Sequence, residues 1–156
     1  MFEYDCLDFD NVDDVFDFAI EKEKEAYDFY RKWAKKIEKP AMREVFEECA
    51  EQEAGHIKLF HDLKSGHTKE KPDKKVVDLH LADYLVEVIP SPDMDYREAV
   101  RVAIQREKAA VQLYSEFSKA TSSPKIAATL EIILQEELKH KNRLETLFDD
   151  AFNREN

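Results

Sequence analysis

The chain has few of the residues that break regular secondary structure: two glycines and five prolines among 156 residues. A β-sandwich or β-barrel needs many turns, and such turns depend on these residue types, so the composition argues against an all-β fold. Glutamate, lysine, alanine and leucine are abundant instead, and all four favour helix. We therefore expect an all-α protein, and the length fits a single domain spanning residues 1–156.

Cysteine is also scarce. Only Cys6 and Cys49 occur, and they form no Cys-x-x-Cys pair. A zinc ribbon or a rubredoxin-type iron site needs four sulfur ligands, so neither can be present. Cys49 falls at an apolar helix position and is expected in the core, whereas Cys6 has no assignment.

Positive charge and long apolar runs are missing as well. The formal net charge is −11, which argues against a nucleic acid or an anionic membrane as partner, since both require a basic surface. The sequence opens with no signal peptide and contains no run of 18 apolar residues. We expect a cytoplasmic protein without a membrane segment.

Apolar residues recur at steps of three and four, the period of an α-helix, and predict a helical hairpin over residues 12–65. Asp10 or Asn11 can cap its first helix. Pro40 is expected to begin the second helix and Ser65-Gly66 to end it. The predicted apolar face of the first helix is Phe16, Ala19, Ile20, Ala26, Tyr27, Tyr30, Trp33, Ala34 and Ile37. The predicted seam of the second is Phe46, Cys49, Glu53, His56, Phe60 and Leu63.

Residues 66–94 are predicted to form a long crossover. The segment 69–75 is charged and interrupted by proline, and a short helix is expected at about 78–89. A connection of this length is uncommon unless it has a role, and running from one end of a helical bundle to the other is such a role.

A second hairpin is predicted over residues 95–150. Asp95 with Glu98 is expected to cap its first helix, and Ser123 with Pro124 to begin its second. The predicted face of the first helix is Ala99, Ala103, Ile104, Glu107, Ala110, Val111, Tyr114 and Phe117. The predicted seam of the second is Leu130, Ile133, Glu137, His140, Leu144 and Leu147.

The two hairpins repeat one another at an offset of 84 residues, as in the pairs Pro40 and Pro124 or Phe46 and Leu130. We therefore expect a four-helix bundle made of two repeated antiparallel hairpins related by a pseudo-twofold axis.

The repeat carries polar residues at positions where a helix seam is normally apolar. Glu-x-x-His occurs at Glu53–His56 and again at Glu137–His140, which places each glutamate one helical turn from its histidine. Glu23 and Glu107, also 84 residues apart, occupy the apolar faces of the other two helices. The pseudo-twofold axis would bring all four glutamates towards one point.

Buried glutamates repel one another and must either take up protons or bind a cation. Two divalent cations would balance four carboxylates, so we predict a two-metal site. Glu23 and Glu107 would be terminal ligands, Glu53 and Glu137 would bridge, and each histidine would bind one ion. The donor set suits iron or manganese, and zinc can substitute. The predicted ligands are Glu23, Glu53, His56, Glu107, Glu137 and His140.

Tyr30 and Tyr114 follow Glu23 and Glu107 by two helical turns. Each is either an aromatic core residue or a hydroxyl that hydrogen-bonds a ligand carboxylate and orients it. No catalytic residue is predicted beyond the metal ligands. The remaining histidines, at positions 61, 67 and 80, are expected on the surface or in the crossover, and Glu136 is expected outside the site.

These motifs resemble those of the ferritin-like di-iron carboxylate superfamily, and within it rubrerythrin in a form without the rubredoxin domain. The resemblance covers most of residues 12–150 and implies two iron ions held by the six residues above. It implies reduction of peroxide or dioxygen, with electrons from a separate, rubredoxin-like donor. It also implies a homodimer, in which the hairpins pair within one chain or exchange between two.

The sequence departs from rubrerythrins at one ligand position, because the further glutamate one turn after the helix-3 glutamate is replaced by Ala110. Two other functions therefore stay open. One is a ferroxidase or iron-handling protein, and the other is a structural bundle in which a metal joins the two halves without redox turnover.

Overall fold

The computed structural model describes residues 12–67 and 95–153. Four helices make up most of this part of the chain: α1 (Val12–Ala34), α2 (Pro40–His67), α3 (Tyr96–Ala120) and α4 (Pro124–Phe148). A π-helical turn, Asp149–Asn153, follows α4. Several predictions fall outside the described residues: the cap at Asp10 or Asn11, the helix at 78–89, and the rest of the crossover beyond His67. Cys6 and His80 also lie outside them.

The helices form a four-helix bundle, as the sequence predicts. α1 packs along α2 and α3 packs along α4, which are the two hairpins. The hairpins meet through contacts of α1 with α3 and of α2 with α4. None of the helices within residues 12–67 and 95–153 is long and apolar enough to cross a membrane.

Three of the predicted helix starts are confirmed. α2 begins at Pro40, where the missing N–H of proline costs no hydrogen bond. The Asp95 carboxylate accepts a 2.8 Å hydrogen bond from the Glu98 N–H at the start of α3. Ser123 does the same for Ile126 at the start of α4, where Pro124 is the first helical residue. These caps satisfy N–H groups that have no partner within the helix.

The predicted end of α2 is wrong by about one residue. The helix continues through Gly66 to His67. A glycine ends a helix when the chain there turns into the left-handed region, and Gly66 does not adopt a positive φ. It is therefore simply accommodated as a residue of the last turn.

The core lies in two clusters, one towards each end of the bundle. The first contains Tyr30, Trp33 and Phe46, and the second contains Phe16, Phe60 and Phe117. Cys49 is buried in the first cluster, as predicted, and burial raises the pKa of its thiol, so that it stays neutral. Burying each large side chain contributes about 1.5–3 kcal/mol.

The core differs from the sequence prediction in several details, of which two show the cause. The buried face of α1 is wider than predicted and includes Val15, Phe18 and Phe29, because α1 contacts both α2 and α3. Near the end of α4, Phe148 is buried whereas Leu147 is only partly so. A straight helix with 3.6 residues per turn drifts away from a strict seven-residue seam, which accounts for the shift.

Candidate metal centre

The middle of the bundle, between the two apolar clusters, is occupied by polar side chains. Six residues are each at most 2% exposed: Glu23, Glu53, His56, Glu107, Glu137 and His140. They are the six residues that the sequence predicts as metal ligands, and the structure brings all of them together. One comes from α1, two from α2, one from α3 and two from α4.

The six residues form two overlapping groups. One consists of Glu23, Glu53, His56 and Glu137, and the other of Glu53, Glu107, Glu137 and His140. Within each group the candidate ligand atoms lie within 4.8 Å of one another. Glu53 and Glu137 belong to both groups, which is the position that a bridging carboxylate requires, and each histidine belongs to only one.

The two imidazoles present Nδ1 to the cluster. His56 Nδ1 lies 2.8 Å from Glu137 Oε1, 3.6 Å from Glu53 and 3.8 Å from Glu23. His140 Nδ1 lies 3.6 Å from Glu53 and 3.9 Å from Glu107. Each Nδ1 is therefore surrounded by carboxylate oxygens, an arrangement that a shared cation stabilises.

Each of the six residues also has one buried polar atom that makes no well-aligned hydrogen bond. These atoms are Glu23 Oε2, Glu53 Oε1, His56 Nδ1, Glu107 Oε2, Glu137 Oε1 and His140 Nδ1. Buried polar atoms are nearly always hydrogen-bonded, and each exception costs about 1–3 kcal/mol. Six such atoms, on residues whose candidate ligand atoms meet in two overlapping groups, fit a site that takes metal ions, and carboxylate with imidazole is a donor set that iron accepts.

Both tyrosines hydrogen-bond a glutamate of the opposite hairpin. The Tyr114 hydroxyl donates to Glu23 Oε1 at 2.6 Å, and the Tyr30 hydroxyl donates to Glu107 Oε1. Burial raises the pKa of both tyrosines, and the Glu23 and Glu107 carboxylates raise it further, so the hydroxyls remain protonated donors. Both are also packed in the apolar clusters, so each serves the core and orients a carboxylate.

Sequence reasoning missed two residues next to the cluster. Glu136, which was expected outside the site, contacts His56 Nε2, and Gln52 contacts His140 Nε2. They belong to neither group of candidate ligands, but each holds the outer nitrogen of a histidine. Each immediately precedes, in its own hairpin, the glutamate that belongs to both ligand groups. Of the other histidines, His61 is exposed, as expected.

Burial and mutual repulsion shift the titration of the cluster. Burial, then the charge of Glu137, raises the pKa of Glu107 well above its usual value. Burial and the charge of Glu23 raise the pKa of Glu137. Burial lowers the pKa of His56, but the carboxylates of Glu137 and Glu23 outweigh it and raise the pKa to about 11. Burial and the charge of His56 lower the pKa of His140 to about 4.

We expect the metal-free protein to lose stability as the pH rises above about 6.5. Folded His56 has a pKa of about 11 and keeps a proton that the unfolded chain releases near pH 6.5, so the free energy of unfolding falls with rising pH. The raised pKa values of Glu107 and Glu137 act in the same direction above their ordinary value of 4.5. The slope is about 1.4 kcal/mol per pH unit for each retained proton. The lowered pKa of His140 acts in the opposite direction, but only between about 4 and its ordinary value of 6.5.

Urea denaturation in the presence of a chelator at pH 6.5, 7.5 and 8.5 measures this effect. The His56→Gln variant, which removes the group whose pKa is about 11, should show a shallower fall. A metal-free wild-type protein whose stability is constant or rises over this range would contradict the expectation.

A four-helix bundle with a buried cluster of glutamates and histidines at its centre defines the ferritin-like class. Within that class, the chain matches the family model named Rubrerythrin over residues 14–88 and 98–156. The chain therefore belongs to the rubrerythrin family.

A solved structure is similar to this chain over nearly its whole length. It is a protein from Thermotoga maritima described as a ferritin-like diiron-carboxylate protein, with 25% sequence identity and a TM-score of 0.72. The match covers 90% of this chain and 96% of that one. No curated protein sequence matches the chain.

Proposed function

We propose that this protein is a di-iron carboxylate oxidoreductase that reduces hydrogen peroxide, or dioxygen, with electrons from a separate donor protein. The observation that carries the proposal is the pair of buried ligand groups that share Glu53 and Glu137. Six ligands on four helices would hold two iron ions, for which manganese or zinc can substitute. Four carboxylates balance the charge of two divalent ions.

Two ferrous ions at this site would supply the two electrons that, with two protons, convert one hydrogen peroxide into two waters. The chain's own contribution is to position the ligands and exclude bulk water. Tyr114 and Tyr30 hold Glu23 and Glu107 from the opposite hairpin, so the terminal carboxylates are oriented by the fold. The apolar clusters on both sides exclude water from the centre, so electrostatic interactions between charges there are strong.

The electrons for turnover would come from another protein. The sequence contains two cysteines, too few for a rubredoxin-type iron site in the same chain, so the proposed donor is a separate, rubredoxin-like protein. The homodimer, with the hairpins paired in one chain or exchanged between two, belongs to the same proposal and rests on the family resemblance. The cytoplasmic location stays a prediction.

The test is anaerobic mixing of protein loaded with two Fe(II) per chain with hydrogen peroxide in a stopped-flow spectrometer. We expect near-ultraviolet ferric absorbance to appear faster than with the same concentration of free Fe(II), and one peroxide to be consumed per two irons. The Glu53→Gln variant is the negative control. Oxidation no faster than that of free Fe(II) would contradict the proposal.

One observation favours a ferroxidase as the second candidate. Ala110 stands one turn after Glu107, as Ala26 stands one turn after Glu23, so the two hairpins offer equivalent ligand sets. A ferroxidase would take up many irons per chain and form a large assembly that light scattering detects, whereas the proposed oxidoreductase would bind two irons per chain.

A structural bundle that holds zinc would gain stability from metal but give no change in absorbance with peroxide.

A further inference from the structure

The two histidines of the cluster have different partners at their outer nitrogens. His56 Nε2 contacts the carboxylate oxygen Oε2 of Glu136, and His140 Nε2 contacts the amide oxygen Oε1 of Gln52. With Nδ1 of each ring, which faces the cluster, bound to a metal ion, Nε2 would carry the proton and donate it to these oxygens. Both contacts cross from one hairpin to the other.

Gln52 and Glu136 occupy the same position in the two hairpins. They are 84 residues apart, the offset of the repeat, and each immediately precedes a bridging glutamate. Glutamine and glutamate have nearly the same shape, so the two halves differ here in charge rather than in geometry. A pseudo-symmetric site therefore has an anionic partner behind one histidine and a neutral partner behind the other.

We infer that the two metal positions are inequivalent, and that the position containing His56 binds its ion first and more tightly. A carboxylate that accepts the outer N–H of a histidine increases the electron density at the ligating nitrogen and adds negative charge near the cation. An amide oxygen increases this electron density only weakly, and it adds no negative charge near the cation. The inference rests on the proposed two-metal site and assigns Glu136 and Gln52 as the positioning residues that make its halves differ.

The neighbouring charges act in the same direction. Lys139, a cation, is adjacent to His140, whereas the equivalent position beside His56 is Gly55. Arg143 also lies on the His140 side, but it is paired with Glu48, so the two charges largely cancel. A cation bound near His140 would consequently have more positive and less negative charge around it than one bound near His56.

The test uses the full-length protein and Zn(II), which is free of redox chemistry. Protein supplied with one Zn(II) per chain is crystallised, and the occupancy of the two positions is measured by anomalous diffraction. We expect the His56 position to be occupied preferentially, by about tenfold, the lower end of the effect of such outer partners on metal affinity. The lower end applies because the Glu136 side chain is 42% exposed and solvent screens part of its charge.

Variants that change or exchange Glu136 and Gln52 test the cause of the preference. Glu136→Gln should reduce the preference to near equality, and the double variant Gln52→Glu with Glu136→Gln should transfer it to the His140 position. Glu131→Gln, at an exposed position of α4, removes the same charge without reaching a histidine and should leave the preference unchanged. Isothermal titration with Zn(II) should show two affinities in the wild-type protein and in the double variant, and a single affinity in Glu136→Gln.

Equal occupancy in the wild-type protein, or a preference that Glu136→Gln leaves intact, would overturn the inference while leaving the proposed function standing. A protein that binds no Zn(II) at either position would overturn both. Preferential occupancy that follows the carboxylate from one hairpin to the other would support the inference, whatever the outcome of the peroxide experiment.

Discussion

Binding of two Zn(II) ions per chain is expected to raise the midpoint of thermal unfolding by about 10–20 °C. An ion that binds only the folded state at 100 times its dissociation constant contributes about 2.7 kcal/mol, so two ions contribute about 5 kcal/mol. In a protein of 156 residues, each kcal/mol raises the midpoint by about 2–4 °C. Relief of the repulsion among acidic side chains buried at one centre is part of what makes the binding of each ion favourable.

Differential scanning calorimetry with and without Zn(II) measures the shift, after treatment with a chelator that is then removed. His61→Ala is the matched control, because His61 is an exposed histidine on the same helix as His56 and its removal should leave the shift intact. Identical midpoints with and without metal would contradict the expectation and, with it, the two-metal site.

The Glu53→Gln variant is expected to change stability in opposite directions with and without metal. Without metal, it replaces a buried carboxylate by a neutral group of similar shape and relieves repulsion from Glu137 and its neighbours. Replacing a functional group that destabilises the fold commonly gains about 0.5–2 kcal/mol. With Zn(II), the variant should lose nearly all of the rise in midpoint, because Glu53 belongs to both ligand groups and its loss affects both ions.

Glu51→Gln is the matched control for this variant. Glu51 is an exposed residue of α2, two positions away, and removing its charge should affect neither the metal-free stability nor the response to Zn(II). The interpretation would be contradicted if Glu53→Gln kept the full response to metal, or if it unfolded more readily than the wild-type protein when both are free of metal.

Much of the fold could be predicted from the sequence because its signals are local. The caps at Asp95 and Ser123 and the helix start at Pro40 depend on residues within one turn of each other, and the structure contains all three. The wider buried face of α1 could not be predicted in the same way. Phe29 is buried because α1 contacts two neighbouring helices, and a helical period does not say how many neighbours a helix has.

The candidate site also contains some residues that the sequence predicts and others that depend on packing between helices. Glu23 and Glu107 could be selected because each places a charge where an apolar residue was due, twice, at one offset. Glu136 could not be selected from the sequence, because a helical wheel places it about 100° away from Glu137. Its partner His56 is on another helix, and only the crossing of α2 and α4 determines which side chains meet.

The sequence by itself determined that the chain is helical, that it is a repeat of two hairpins, and that six polar residues interrupt its apolar seams, because residue type and period encode these properties directly. The tertiary structure alone decided that Glu53 and Glu137 are shared between two ligand groups, that each tyrosine reaches the opposite hairpin, and that one histidine has a carboxylate behind it and the other an amide. The physical reason is that these properties depend on distances between side chains of different helices, which are set by the packing of apolar clusters at both ends of the bundle.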